Sequence, residues 1–381
     1  MTTRYTKLAT TSAIVLALCP WSVQAENWSD KLSVSGFASA TYRQTDEPAP
    51  FHGHIDNQGS YADTKLGLNF NAEINERFSI ASQLLSTKEP DNYATHVDWA
   101  FGAFKLSDSL TIRAGKLKFP VGLVNEISDV GYAYPWIQAP VSFYSEAGPN
   151  LNGPQITREA YTGASLLWQV ETGDLVVEFD LFRGEINLDG MNTRKLTGLA
   201  INADWNDLIQ LELSSYQGTM RDIGLEDAVA SSAGGSVWQN TLLSMQSSME
   251  GAKHSADSFG IKYDNGHVLF MSEISKMEMG DLAAMKTTGW YSTLGYQVGA
   301  FLPTLTFENL EQGDGSGAFD DDQDITTLGL RWDYMTNVAI KFEVAQIKLN
   351  NANGNGGLFG YVNNPEDDTI NMFGIAIDTV F

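Results

Sequence analysis

The sequence predicts an all-β fold, a transmembrane antiparallel β-barrel of sixteen strands. Two regularities support this prediction. Apolar and polar residues alternate with a period of two in many segments, and short and long connections take turns between these segments. In addition, the last segment alternates in the same way and finishes on the aromatic residue Phe381.

The alternation is clearest in 64–74, where Leu66, Leu68 and Phe70 are interleaved with polar or small residues. Successive side chains of a strand point to opposite faces, so this pattern gives one apolar face and one polar face. Helical spacing does not fit these segments. The predicted strands are 31–44, 64–74, 78–86, 96–106, 110–117, 160–169, 175–183, 195–205, 208–219, 257–264, 267–277, 287–298, 302–312, 324–334, 338–350 and 369–381.

The connections between these strands alternate strictly in length. Short polar turns, such as the hairpin pair Asn265-Gly266, follow every second strand. The long connections are 45–63, 87–95, 118–159, 184–194, 220–256, 278–286, 313–323 and 351–368. One rim of the fold therefore carries short turns and the other carries long loops, as in transmembrane barrels. A soluble sandwich would instead have Greek-key crossings.

Aromatic residues near strand ends on the apolar face are expected to form two girdles at the membrane surfaces. These residues are Tyr42, Trp99, Trp168, Trp205, Tyr263, Trp290 and Trp332.

The first 25 residues have the features of a secretory signal peptide. Arg4 and Lys7 precede a short apolar core, and Val23-Gln24-Ala25 is a small-residue cleavage site. We expect 1–25 to be removed and 26–381 to form one barrel domain. A lipoprotein signal at Cys19 is the competing interpretation, but a bulky residue before the cysteine and a proline after it suit lipid attachment poorly.

The chain is strongly acidic, with 47 Asp and Glu against 23 Lys and Arg and a net charge of −24. Nucleic acids are bound through Lys and Arg, so we expect no nucleic-acid partner. The acidic balance is compatible with cations and with surfaces that divalent metals bridge to other anions. No stretch after the leader reaches the ~18 apolar residues of a membrane-spanning helix.

The connection 118–147 differs from an ordinary solvated loop. Pro120, Pro135 and Pro140 remove backbone donors, so it is not a ladder strand, yet it is rich in aromatic and aliphatic residues such as Trp136. An apolar, irregular connection of this length needs a packing surface of its own. We expect it to fold inward against the wall that the strands build.

The residues around this connection resemble those of gammaproteobacterial porins. The resemblance is carried by Arg113-Ala114-Gly115-Lys116, by Phe119-Pro120-Val121-Gly122 and by 129–136, and at motif level it covers only about 110–147. The terminal Phe381 is similar to the signature read by the barrel-assembly machinery. The wider set is the general and phosphate-selective porin superfamily of Gram-negative bacteria.

The resemblance implies an outer-membrane location, a third long loop (118–147) that narrows the pore, sixteen strands and a homotrimer. The implied activity is passive diffusion of small hydrophilic solutes and ions through a water-filled barrel. The acidic balance departs from the phosphate-selective members, which leaves an anion preference in doubt. A substrate-selective channel for phosphate, other anions or sugars is the alternative within transport.

A pore acts by positioning charge around a constriction and needs no cofactor. We predict that acids on the inward loop face bases on the opposite wall and create a transverse field. The predicted constriction residues are Glu126, Asp129 and Glu146 on the loop and Arg113, Arg331 and Lys65 on the wall. The alternative for any one inward polar residue is that it simply faces water in a wide channel. Because inward acids outnumber inward bases, a mild cation preference is expected.

Other sites are weaker predictions. His52 and His54 are separated by one residue, so in an extended segment both rings point to the same side and could bind one metal ion. No third ligand is evident in the sequence. The acidic runs 320–324 and 366–368 could bind divalent cations that bridge to lipopolysaccharide, although solvated loop charge explains them as well.

An outer-membrane hydrolase would need a positioned histidine, and only His96 and His267 fall in predicted strands. An enzyme is therefore not expected, and a secreted adhesin would lack the uniform alternation.

Overall fold

The computed structural model describes residues 31–88, 92–144, 160–188, 191–224, 243, 246–280, 286–313, 321–350, 358 and 368–381. Sixteen strands make up nearly all of this part of the chain. They are β1 (Leu32–Thr45), β2 (Lys65–Asn75), β3 (Phe78–Lys88), β4 (Tyr93–Ser107), β5 (Leu110–Lys118), β6 (Ala160–Thr172), β7 (Leu175–Leu188), β8 (Met191–Trp205), β9 (Ile209–Arg221), β10 (Lys253–Asp264), β11 (Val268–Met279), β12 (Lys286–Tyr296), β13 (Phe301–Gln312), β14 (Asp321–Met335), β15 (Val338–Leu349) and β16 (Thr369–Val380).

Three short helical turns lie between β5 and β6. They are the 3₁₀ turns Asn125–Ile127 and Gly131–Ala133 and the single α-helical turn α1 (Val141–Tyr144). None of the described helices is long and apolar enough to cross a membrane.

The strands form one closed antiparallel barrel. Each strand pairs with its neighbours in sequence, and β1 also pairs with β16 from Phe37 opposite Val380 to Thr45 opposite Met372. The pairing reaches the last residue, because Gly36 and Phe381 exchange backbone hydrogen bonds of 2.8 and 2.9 Å. Closure leaves no strand edge unpaired. The predicted fold class is confirmed.

One predicted connection is wrong. The stretch 184–194 was expected to be a long loop, but β7 continues to Leu188 and β8 begins at Met191. The ladder persists through polar residues, with Asn187 opposite Asn192. The register shifts between Gly184 and Ile186, and the alternation changes its phase with it, because Leu181 is exposed on the outer face whereas Ile186 is buried. The sequence pattern is therefore interrupted although the backbone pairing continues.

The outer face of the barrel is apolar. Large hydrophobic side chains at every second position point away from the barrel and are exposed, as an oil-facing surface requires. They include Leu66, Ile80, Leu166, Trp168, Leu181, Leu199, Leu213, Phe259, Ile274, Leu294, Phe307, Leu328, Val344, Phe373 and Ile375. This apolar belt belongs to a barrel that lies in a membrane.

The inner face carries buried apolar clusters as well as polar side chains. A first buried cluster lies along β5–β11, where Phe119 packs edge-on against Tyr161 and Tyr216. A second cluster joins Phe51 and Ile55 of the β1–β2 connection to β13–β16. Folded-in connections thus convert part of the predicted polar lumen into a packed interior.

Trp99 is a second exception to the predicted pattern. The pairing of β3 with β4 shifts by one residue, so that Gln83 is opposite Trp99 while Leu84 is opposite Val97. The extra residue, Asp98, forms a β-bulge. As a result Val97 is 47% exposed on the outer face, and Trp99 points into the barrel instead of joining the outer girdle.

Candidate functional site

The connection after β5 lies inside the barrel. We call its described part, residues 119–144, the inner loop; residues 145–147 of the predicted constriction loop, including Glu146, lie outside the described residues. The inner loop is largely buried, with Trp136 only 3% exposed. The Trp136 indole donates hydrogen bonds to the inward hydroxyls of Thr293 on β12 and Thr306 on β13, at 3.0 and 3.1 Å.

Inward-facing glutamates hold the inner loop by its backbone amides. Glu273 on β11 accepts from the Leu123 amide at 2.7 Å, and Glu343 on β15 accepts from the Ile137 amide at 2.8 Å. Glu308 on β13 accepts from the amide of Ser142 at 3.2 Å. These three hydrogen bonds attach the loop to one side of the wall, along β11–β15.

Two basic residues on the same side hold the loop by its carbonyls. Arg331 on β14 donates to the carbonyl oxygens of Tyr132 and Tyr134 at 2.7 and 3.1 Å. Lys341 on β15 donates to the carbonyl oxygens of Gly131 and Trp136, both at 2.5 Å. An irregular backbone has no ladder partners, and these side chains satisfy its buried carbonyl groups instead.

Close approach at this wall requires a glycine. A Cβ atom added to Gly131 would lie 2.3 Å from Asp378 Oδ1 and 2.8 Å from Ser39 Oγ. Asp378 on β16 is itself paired with Lys341 at 2.9 Å, with both side chains 1% exposed. The inner loop therefore rests directly on a buried ion pair.

A second set of ion pairs ties the loop to the start of β2 and the end of β5. Lys118 Nζ lies 2.9 Å from Asp98 and 2.7 Å from Asp129, and Lys65 Nζ lies 3.3 Å from Asp129. Burial raises the pKa of Asp129, but the positive charges of Lys118 and Lys65 lower it by more. The pKa of this carboxyl therefore lies well below its usual range.

On the side that faces β5–β7, apolar packing holds the loop, because Phe119 and Val121 belong to the buried cluster that contains Tyr161 and Phe182. Arg113 on β5 is buried and hydrogen-bonds to Ser165 at 3.0 Å and to Asp180 on β7. Glu126 on the loop is exposed, and its charge acts on Arg113 and Lys118. Among the residues that the structure describes, no ion pair fixes Glu126. Glu126 is thus an exposed loop carboxylate on the side of Arg113.

The structure brings together some of the predicted constriction residues and separates others. Lys65 and Asp129 are in contact, Arg331 binds loop carbonyls, and Arg113 pairs with Asp180 on its own wall. A role of these residues in permeation stays a prediction. Lys118 is not among the predicted constriction residues. Its two carboxylate partners come from β4 and from the loop, a juxtaposition that only the folded chain creates.

The histidines need two corrections. His254 also lies in a strand, because β10 begins at Lys253 rather than near 257, and His267 lies in the turn before β11, which begins at Val268. Its ring is buried between the hydroxyls of Thr193 and Tyr216, at 2.8 and 3.2 Å. His54 contacts Asp63 at 2.9 Å.

The weaker metal and lipopolysaccharide predictions fall partly outside the described residues. Asp320, Glu366 and Asp367 belong to the undescribed ranges. Asp322 and Asp324 both accept hydrogen bonds from the Asn309 side-chain amide, at 2.8 and 3.0 Å. Within the described ranges, no group of three His, Cys, Asp or Glu residues is arranged to hold a metal ion.

Comparison with known proteins identifies the fold. No known protein family and no curated protein matches the chain in sequence. Among solved structures, OmpF of Salmonella typhi in complex with daunomycin is 13% identical, with a TM-score of 0.62 over 94% of this chain and 100% of that one. An anion-selective porin from Comamonas acidovorans is 13% identical, with a TM-score of 0.56 over 92% and 99%.

A trimeric form of the outer-membrane protein OmpT of Vibrio cholerae is 12% identical, with a TM-score of 0.53 over 92% of this chain and 100% of that one. At these identities the likeness concerns the fold, and it agrees with the closed barrel and apolar belt described above. The chain has the sixteen-stranded β-barrel fold of outer-membrane porins.

Proposed function

We propose that this protein is an outer-membrane porin through which small hydrophilic solutes and ions diffuse passively. The observation that carries the proposal is a closed barrel whose inner loop is fastened to β11–β16 on one side and exposes Glu126 on the other. Such a loop narrows the bore without adding any catalytic group. The activity needs no cofactor.

The charges around the passage favour cations. Arg113 is neutralised by Asp180, and Lys118 is shared between Asp98 and Asp129. Glu126 is exposed, and Glu178 on β7 faces the same side of the barrel. Fixed charge along a narrow passage selects the opposite sign, so we propose a mild cation preference. This differs from the anion-selective porin of Comamonas acidovorans.

A substrate-selective channel is the second candidate, and one observation favours it. Two apolar clusters, built from inward side chains and folded-in connections, fill much of the lumen near the long-loop rim. A passage with such walls is narrower than that of a wide water-filled pore and can distinguish solutes by shape.

We further propose a homotrimer in the outer membrane, in contact with lipid and lipopolysaccharide, after cleavage of the leader 1–25. A trimeric form of OmpT from Vibrio cholerae shares the fold. The apolar outer belt supplies the surface for lipid and for neighbouring subunits. Neither nucleic acid nor a metal cofactor has a part in this proposal.

Recording from the purified protein in a planar bilayer tests the function. We expect discrete conductance steps, grouped in threes for a trimer, and a reversal potential in a KCl gradient that favours potassium. A protein that folds into the bilayer but passes no current would refute the porin proposal. A reversal potential that favours chloride would refute the proposed selectivity alone.

A further inference from the structure

Two aromatic rings face the lumen from the middle of β4. Trp99 and Phe101 lie on the same side of the strand, with ring centroids 5.5 Å apart and planes inclined by 33°. The bulge at Asp98 turns Trp99 inward, and Phe101 follows two residues later. Both side chains are only partly buried, in contrast to the fully buried aromatic residues of the neighbouring cluster.

The pair is supported from behind. Phe101 packs against the buried cluster that contains Leu117 and Phe119. Gly115 is directly opposite Phe101 on β5, and a Cβ atom there would lie 2.7 Å from Phe101 Cα. Gly115 also has a φ of 143°, a conformation that favours glycine. The backbone beneath the rings is therefore closely packed, which holds the ring pair in place.

The inward cations beside this pair are neutralised. Lys118 and Arg113 on β5 are each paired with wall carboxylates, while Lys116 donates to the Val97 carbonyl at 2.9 Å. Asn125 of the inner loop donates to the Phe119 carbonyl at 2.8 Å, so the exposed Glu126 beside it lies near the end of β5. The loop therefore presents a carboxylate close to the strand that neighbours the rings.

We propose that Trp99 and Phe101, together with Glu126, form a binding subsite for organic cations that carry a flat aromatic ring. Aromatic rings attract both other rings and cations, and a nearby carboxylate adds charge complementarity. The inference rests on the proposed function, because the subsite lies in the proposed passage, and it names the class of solute that the passage selects.

The test compares two amines of equal charge, benzylammonium and n-hexylammonium, by calorimetric titration of the folded protein in detergent and by their residence times in single-channel recordings. We expect benzylammonium to bind about tenfold more tightly than n-hexylammonium, because one stacked pair of aromatic rings contributes about this much to the affinity. The double variant Trp99→Leu and Phe101→Leu keeps apolar bulk but removes the rings, and should lose this preference. Glu126→Gln should weaken both amines and leave the ratio unchanged.

The outer face offers a matched control. Trp168 and Phe179 form a similar stacked pair, with centroids 5.2 Å apart, but Trp168 is 48% exposed toward the membrane. Replacing both by Leu should leave the ring preference intact. Equal affinity for the two amines, or a ring preference that survives loss of Trp99 and Phe101, would overturn the subsite.

The two readouts separate this inference from the proposed function. A barrel that conducts KCl but shows no ring preference overturns the subsite and leaves the porin proposal standing. A barrel that prefers benzylammonium in the calorimeter but passes no current overturns the porin proposal and supports the subsite.

Discussion

Replacing Lys341 by Met should release the inner loop from one side of the wall. Lys341 donates to two loop carbonyls, pairs with Asp378 at 2.9 Å and lies 4.8 Å from the centre of the Tyr134 ring. Both members of the ion pair are 1% exposed. Methionine keeps the length and apolar character of the side chain but removes the charge and the donors.

The expected cost is large because Asp378 would be left buried without its partner. Breaking a buried ion pair from one side typically destabilises a protein by about 3–5 kcal/mol. Heat-modifiable gel migration should show a lower melting temperature, and bilayer recordings should show a larger and noisier current. Adding Asp378→Asn removes the orphaned charge, so the double variant should regain part of its thermal stability while the current remains high.

Lys262 provides the control. It faces the lumen from β10 and is partly buried, but its strand neighbours are Gln210 and Met271 rather than the inner loop. Lys262→Met changes the charge of the lumen by the same amount. If Lys341→Met and Lys262→Met have equal melting temperatures and equal currents, the reasoning about the loop attachment is refuted.

Three further predictions follow from the same contacts. Gly131→Ala should push the loop off the wall and destabilise the barrel by about 1–3 kcal/mol, seen as a lower melting temperature; an unchanged value would contradict the close approach. Asp129→Asn should lower the melting temperature by a constant amount between pH 8 and 5. The depressed pKa of Asp129 keeps its contribution complete above the ordinary Asp pKa of about 3.9, and the difference should shrink only as the pH falls below that value. Glu126→Gln should reduce the potassium preference measured by reversal potential, and an unaltered reversal potential would contradict its place in the passage.

The sequence predicts the barrel well because its signal is local. In β16, Phe373, Ile375 and Ile377 point outward to lipid and the residues between them point inward, so alternation alone identifies the strand and its faces. The alternation gives a wrong prediction where a register shift interrupts the pairing of two strands. A register shift between Gly184 and Ile186 changes the phase of the alternation within 184–194, and the bulge at Asp98 reverses the face of Trp99.

The site is predicted less completely because its contacts join distant parts of the chain. Alternation places Lys341 on the inner face, but it cannot show that its partners are Gly131 and Trp136, more than two hundred residues earlier. Likewise Arg113 was expected to oppose the loop acids, and its hydrogen-bonded carboxylate is Asp180, two strands away on the same wall. Such pairings depend on how closure of the barrel brings the strands together.

Thiol labelling at position 126 tests the central claim, that the inner loop lines a water-filled passage inside the barrel. The single native cysteine, Cys19, belongs to the leader that we expect to be cleaved, so Glu126→Cys would carry the only thiol of the mature chain. A water-soluble cationic methanethiosulfonate reagent, added during a bilayer recording, should reduce the current in discrete steps. Complete labelling by mass spectrometry with an unchanged current would contradict the account.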